Sequence, residues 1–200
     1  MKIRLLTYLL LPILLSCCSE DDNTYPSLHT ELAEVYTGSD KNVKNIVFDD
    51  GRSYDADRVI SSSVADTLLR CVCSYSIDDS YNPESFKTYS LSTIPSSFPT
   101  AYDSFKSHSS VPVKVLGLWE TKRYINAYIS YKTTDKGKHT FSFSEDSIVS
   151  SIDGVKTAFV SLHHENPNND PESYTQHIYI SFPKYYYEGK TDKVELTINQ

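Results

Sequence analysis

From Ala33 onward apolar and polar residues alternate over short stretches, the period of two that sends successive side chains to opposite faces of a strand. Ala33 and Val35 share one face, and Asn42-Val-Lys-Asn-Ile-Val-Phe48 runs into Asp49-Asp50-Gly51. Asp-Gly between two such runs predicts a hairpin of type I′, whose two central residues both need positive φ. Further strands are expected over Leu68–Ile77 and, after the turn-forming stretch Asp78–Pro83, over Phe86–Ile94. These few short strands suffice for a small barrel over residues 27–95.

Prolines and serines then replace the alternation, so residues 96–110 read as a linker. Beyond it Val111, Val113 and Val115 share a face and lead to Gly117 and Trp119. Arg123–Tyr131 puts Ile125, Ala127, Ile129 and Tyr131 inward. Gly137–Phe143, Val155–His163, Tyr174–Phe182 and Lys193–Asn199 complete the set. About six antiparallel strands, each with one apolar face, bury those faces by pairing as two packed sheets, so an antiparallel β-sandwich is expected over 111–200.

The first residues follow another logic. Lys2 and Arg4 precede an apolar run from Leu5 to Leu15, little more than half of the roughly 20 residues a membrane-spanning helix needs. This is the pattern of a signal peptide, residues 1–16. Leu14-Leu15-Ser16-Cys17 resembles the lipobox of bacterial lipoproteins, which makes Cys17 the acceptor of palmitate-type acyl chains and the first residue of the mature chain. Cys18 is the poorer acceptor, because Cys17 would then fill the small-residue position. Ser19-Glu20-Asp21-Asp22 resembles a surface-export signal, and residues 17–26 form an acidic tether. The expected location is the outer membrane, lipid-anchored and facing the exterior, with the bilayer as partner through Cys17. Cleavage removes two positive charges and no negative one, moving the net charge from −7 to about −9. Phosphate backbones are bound chiefly by Lys and Arg, so nucleic acid is excluded as a partner.

Sixteen tyrosines and eight phenylalanines against one methionine and six glycines favour strands over helices. Besides the acceptor three cysteines remain, an odd number that describes no disulfide framework. Cys71 and Cys73 face the same way on one strand, about 6.5 Å apart at Cβ, too far for a disulfide. They read as small buried hydrophobes.

HExxH, GxSxG, a glycine-rich phosphate loop and CxxC are all absent, so the expectation is a non-enzyme with no cofactor. Adjacent strand residues His163 and His164 project to opposite faces and cannot share one ion. His139, on the face of Phe141 and Phe143, and His164, following Ala158, Val160 and Leu162, read as core histidines. Glu165, Asn166, Asn168, Asp170 and Glu172 offer calcium-type oxygen ligands, with Glu165, Asp170 and Glu172 the weak metal candidates; the same residues are also ordinary turn formers. Trp119 and Tyr185-Tyr186-Tyr187 are the candidates for a ligand-binding aromatic patch, against which stands plain core packing.

In this order the pieces resemble the NigD-like family of exported lipoproteins. The carriers are the lipobox with its acidic follower, Phe48-Asp-Asp-Gly51, Arg70–Tyr75, Trp119 before Arg123-Tyr-Ile-Asn126, His139-Thr-Phe-Ser-Phe143, Leu162-His-His-Glu-Asn166 and Tyr179-Ile-Ser-Phe182. The resemblance implies an all-β chain, a small OB-like barrel followed by an antiparallel β-sandwich. It also implies an association with bacteriocin operons and supplies no catalytic residues. Three functions stand beside one another: a surface binding module for a glycan or peptide, an immunity-type protein intercepting a bacteriocin, and an envelope structural protein.

Overall fold

The computed structural model describes residues 27–78, 85–105, 110–134, 139–166 and 174–200. The signal peptide, Cys17 and the tether lie outside the described residues, as do Asp170 and Glu172. Within them the chain is all-β.

Five strands, β1 (His29–Thr37), β2 (Val43–Phe48), β3 (Ser53–Asp55), β4 (Leu68–Asp78) and β5 (Ser85–Thr93), form one antiparallel curled sheet in the order β3-β2-β1-β4-β5. That is the strand order of an OB-type barrel with the seam between β3 and β5 open, a half-barrel. Alternate residues Ala33, Val35, Ile46, Phe48, Cys71, Cys73 and Tyr75 fill its concave side. Cys71 and Cys73 are buried free thiols, and loss of hydration on burial pushes them up to about 11 and about 12. One end of the half-barrel is closed by Arg52. Its guanidinium lies over the Phe48 ring, 5.2 Å from the centroid, and bonds Glu31, Asp50 and the Tyr75 hydroxyl. The β2–β3 hairpin differs from the expected type I′ turn: only Gly51 has positive φ, 94°. Phe48 and Arg52 close a three-residue loop, the type I turn with a glycine bulge that such loops adopt.

The remaining strands form two packed sheets. One runs β12-β10-β9-β6, from β6 (Thr100–Ala101), β9 (Thr140–Ser150), β10 (Lys156–Glu165) and β12 (Lys193–Ile198). The other runs β11-β8-β7, from β7 (Lys114–Glu120), β8 (Tyr124–Thr133) and β11 (Tyr174–Pro183). Their facing sides enclose a second core that includes Ile125, Ala127, Ile129, Phe143, Ala158, Val160, Leu162, Ile180 and Phe182. Two pairings depart from the all-antiparallel expectation, since β12 lies parallel to β10 and β6 parallel to β9. A one-sided pattern such as Val194, Leu196, Ile198 fixes which face is buried and says nothing of strand direction. β6 comes from the stretch read as linker, where Phe98 also packs on Tyr186 with ring centroids 5.3 Å apart.

Candidate functional site

The outer face of the β7-β8-β11 sheet has a covered end and an open end. In strands β8 and β11 the register pairs Asn126 with Ser181, Tyr128 with Tyr179 and Ser130 with His177. These residues alternate with the core positions, so all six point away from the sandwich core. The half-barrel sits on the first pair. Arg70, on the convex side of the curled sheet and 4% exposed, donates from Nε to Ser181 Oγ (3.2 Å) and from Nη2 to Asn126 Oδ1 (3.2 Å) and Asp49 Oδ2 (2.6 Å). Its guanidinium stacks on Tyr124, 4.0 Å from the ring centre. Ser181 Oγ–H donates to Asn126 Oδ1 at 2.6 Å, and the Ser181 amide to the Pro95 carbonyl at 3.0 Å. At the margin Arg123 bonds Glu34 at 2.7 Å. Burial, with Glu34 close by, drives the Tyr124 hydroxyl far above the ordinary phenol range, so it stays protonated. The junction is a structural joint held by this buried polar knot.

The open end carries a row of rings that crosses the strands. Tyr128 and Tyr179 stack with centroids 4.6 Å apart and planes 26° apart. Trp119 on β7 meets Tyr179 edge-on at 6.2 Å, and His177 meets Tyr128 at 5.7 Å. Trp119 is 38% exposed and belongs to neither core cluster. Gly117 opens the space between Trp119 and Tyr128: a Cβ there would touch both, at 3.8 and 3.9 Å. Beyond His177 the face deepens into a groove of about 370 Å³, with Ser130 in its lining and Lys114, Lys132, Leu116 and His177 around it. A wider groove of about 630 Å³ lies at the other end of the sandwich, where Lys184 pairs with Glu120 and acidic side chains equal basic ones in number.

The tyrosine triplet does not share the Trp119 platform. It forms a short 3-10 turn after β11. Tyr185 lies under Arg123, 4.2 Å from the guanidinium, and Tyr186 under Lys190, 3.9 Å from the ammonium. Tyr187 is buried and donates to Glu145 at 2.7 Å. The rings that do join Trp119 are Tyr128, Tyr179 and His177, and the pairing register of β8 with β11 is what brings them there. Their sequence signal was the outward half of the alternation Asn126, Tyr128, Ser130.

His139 Nδ1 and His164 Nε2 are 2.7 Å apart among Tyr131 and Phe141. His164 Nδ1 faces the Val111 carbonyl at 3.1 Å. A carbonyl only accepts, so the proton sits on Nδ1, and His164 Nε2 accepts from His139. Burial depresses the His164 pKa and keeps the ring neutral. His163 points to the opposite face and bonds Ser144 at 2.8 Å, which in turn donates to Asp146 at 2.7 Å. This is no nucleophile triad: Ser144 is fully buried, and its carboxylate partner bonds the serine instead of orienting the imidazole. Of the calcium candidates Glu165 and Asn166 are described, both half-buried; Glu165 lies 3.5 Å from Thr140 Oγ1, and Asn166 lines the groove beyond His177. Among the described residues no three His, Cys, Asp or Glu side chains are grouped to hold a metal, and no helix is long and apolar enough to cross a membrane.

A half-barrel docked on a small sandwich is an architecture already seen in solved bacterial proteins. A NigD-like immunity protein from Bacteroides caccae has the same fold, with a TM-score of 0.69, 22% identity and 87% of each chain covered. A protein of unknown function from Bacteroides vulgatus follows, at TM-score 0.63 and 15% identity over 86% of this chain and 84% of that one. A candidate lipoprotein from Bacteroides fragilis matches at TM-score 0.61 and 13% identity, covering 88% and 89%. No protein-family model matches the sequence, and neither does any curated protein.

Proposed function

We propose that the protein is a NigD-like surface lipoprotein, anchored through Cys17, whose sandwich serves as a non-enzymatic binding module. The observation that carries this reading is the row Trp119, Tyr179, Tyr128 and His177 on an open sheet face. Trp119 and His177 are exposed and the stacked Tyr128 and Tyr179 half-buried between them, and contiguous ring surface reaching solvent marks an interaction site more often than scattered exposed rings do. Flat aromatic faces suit the C–H faces of a saccharide. Trp119 is the chain's single tryptophan, so its fluorescence reports occupancy of this face alone. Titration with a panel of neutral and acidic oligosaccharides is expected to shift that emission, and Tyr128→Ala and Tyr179→Ala are expected to abolish the response while the fold persists. If no saccharide shifts it, or both variants respond like the parent, the ladder is not a binding site. Labelling of the cellular protein with radioactive palmitate, lost in Cys17→Ser, tests the anchor.

The resemblance to an immunity protein supports a second reading, in which the body intercepts an antibacterial protein at the envelope. A deletion strain then becomes more sensitive to a toxin encoded beside the gene. Unchanged sensitivity removes this reading.

A further inference from the structure

The ladder has a chemically distinct end. Lys114 on β7 pairs with Ser130 on β8. Lys132, two residues further along β8, points the same way and pairs with Thr175. The groove next to His177 therefore holds two ammonium groups, and among the described residues its lining includes no Asp or Glu. Among the described residues neither lysine has a carboxylate partner, whereas Lys44, Arg52, Arg70, Arg123 and Lys184 are each bound to one. In a chain of net charge −7, two lysines in a concave site whose described lining holds no acid form a local positive spot on a negative molecule.

We propose that this face binds a carboxylate-bearing saccharide, its sugar rings on Trp119, Tyr179 and Tyr128 and its carboxylate between Lys114 and Lys132. The proposal rests on the binding reading above and names the ligand class for the same site. Charge complementarity supplies the anion: a carboxylate there meets two donors and, among the described residues, no repelling group. The ladder crosses the face of three strands, of which β8 is paired on both sides while β7 and β11 are the edges of the sheet. An extended peptide is ordinarily recognised by main-chain bonding at a sheet edge. A ligand lying on the rings of the sheet face, away from those edges, is held by flat faces and hydroxyls instead, and a sugar offers both; Ser130 supplies a hydroxyl in the groove lining.

The test titrates Trp119 emission of the purified protein with an oligogalacturonate and with the same oligomer methyl-esterified, which keeps the backbone and removes the charge. The acid form is expected to bind about tenfold more tightly than the ester, the product of two exposed ion pairs worth a few-fold each. That advantage should shrink in molar salt and vanish in the Lys114→Gln/Lys132→Gln double variant. Both substitutions are on the surface, and an unchanged melting temperature verifies the fold. Equal affinity for acid and ester overturns the ligand class and leaves the aromatic site standing. Binding of neither overturns the proposal, and the wider saccharide panel then decides separately whether the ladder binds at all. Tighter binding of poly-glutamate than of the uronate also overturns it, by assigning the face to an acidic peptide.

Discussion

Arg70→Ala probes the joint between the half-barrel and the sandwich. The substitution removes a guanidinium whose side chain is 1% exposed and leaves Asp49, 22% exposed, without its cation. Breaking a buried ion pair from one side costs about 3–5 kcal/mol. Two observations place the expected loss near the lower end, about 3 kcal/mol. Asp49 reaches water, and the native knot already carries a cost, because Arg70 Nη1 and Asn126 Nδ2 are buried without an acceptor. Urea denaturation followed by Trp119 emission and by far-ultraviolet circular dichroism measures both size and cooperativity. Trp119 reports the sandwich and dichroism reports all strands, so the two transitions should separate once the joint is cut. Arg70→Met/Asp49→Asn removes both charges and is expected to recover about half of the loss, as apolar replacement of buried pairs tends to do. A loss under about 1 kcal/mol with coincident transitions would refute the argument.

Two further predictions concern buried titratable groups. Burial holds the Cys71 and Cys73 thiols at about 11 and about 12, so iodoacetamide at about pH 8 should leave both unmodified in the native protein and alkylate both in urea; rapid native alkylation would contradict their place in the core. For His164 the folded pKa is depressed below the 6.5 of a free imidazole. The unfolded chain therefore binds the proton more readily, and the stability held above pH 6.5 declines as pH falls below that value towards the folded pKa. Melting temperature should fall between about pH 7 and about pH 5, and His164→Gln should lose this component; identical slopes in the two proteins would exclude it.

The alternation of apolar residues made the all-β class legible, with a small curled sheet ahead of a sandwich, because burial of one face leaves a period of two in the chain. Strand direction was not legible, since parallel and antiparallel pairing bury the same residues; hence the surprise of β12 beside β10. The extent of β9 was also hidden. Its second half, Glu145–Ser150, is largely exposed and carries no one-sided pattern. The placement of the histidines was legible, because neighbours on one strand must part: His164 lies in the sandwich core and His163 on the other face.

The motifs that carried the family resemblance turn out to share a location. Asp49 from Phe48-Asp-Asp-Gly51, Arg70, Tyr124 and Asn126 from Arg123-Tyr-Ile-Asn126, and Ser181 from Tyr179-Ile-Ser-Phe182 meet in one knot. His139 and His164, from two other motifs, meet in the sandwich core. Such residues are constrained because a buried polar group without its partner costs more than it contributes when paired. A binding face needs only rings and charges pointing outward, which any strand can present without a local signature. The resemblance therefore chiefly identifies how the two halves are joined; of the ring row it includes Trp119 and Tyr179, while Tyr128, His177 and the two lysines lie outside its motifs and set what this chain's own face can hold.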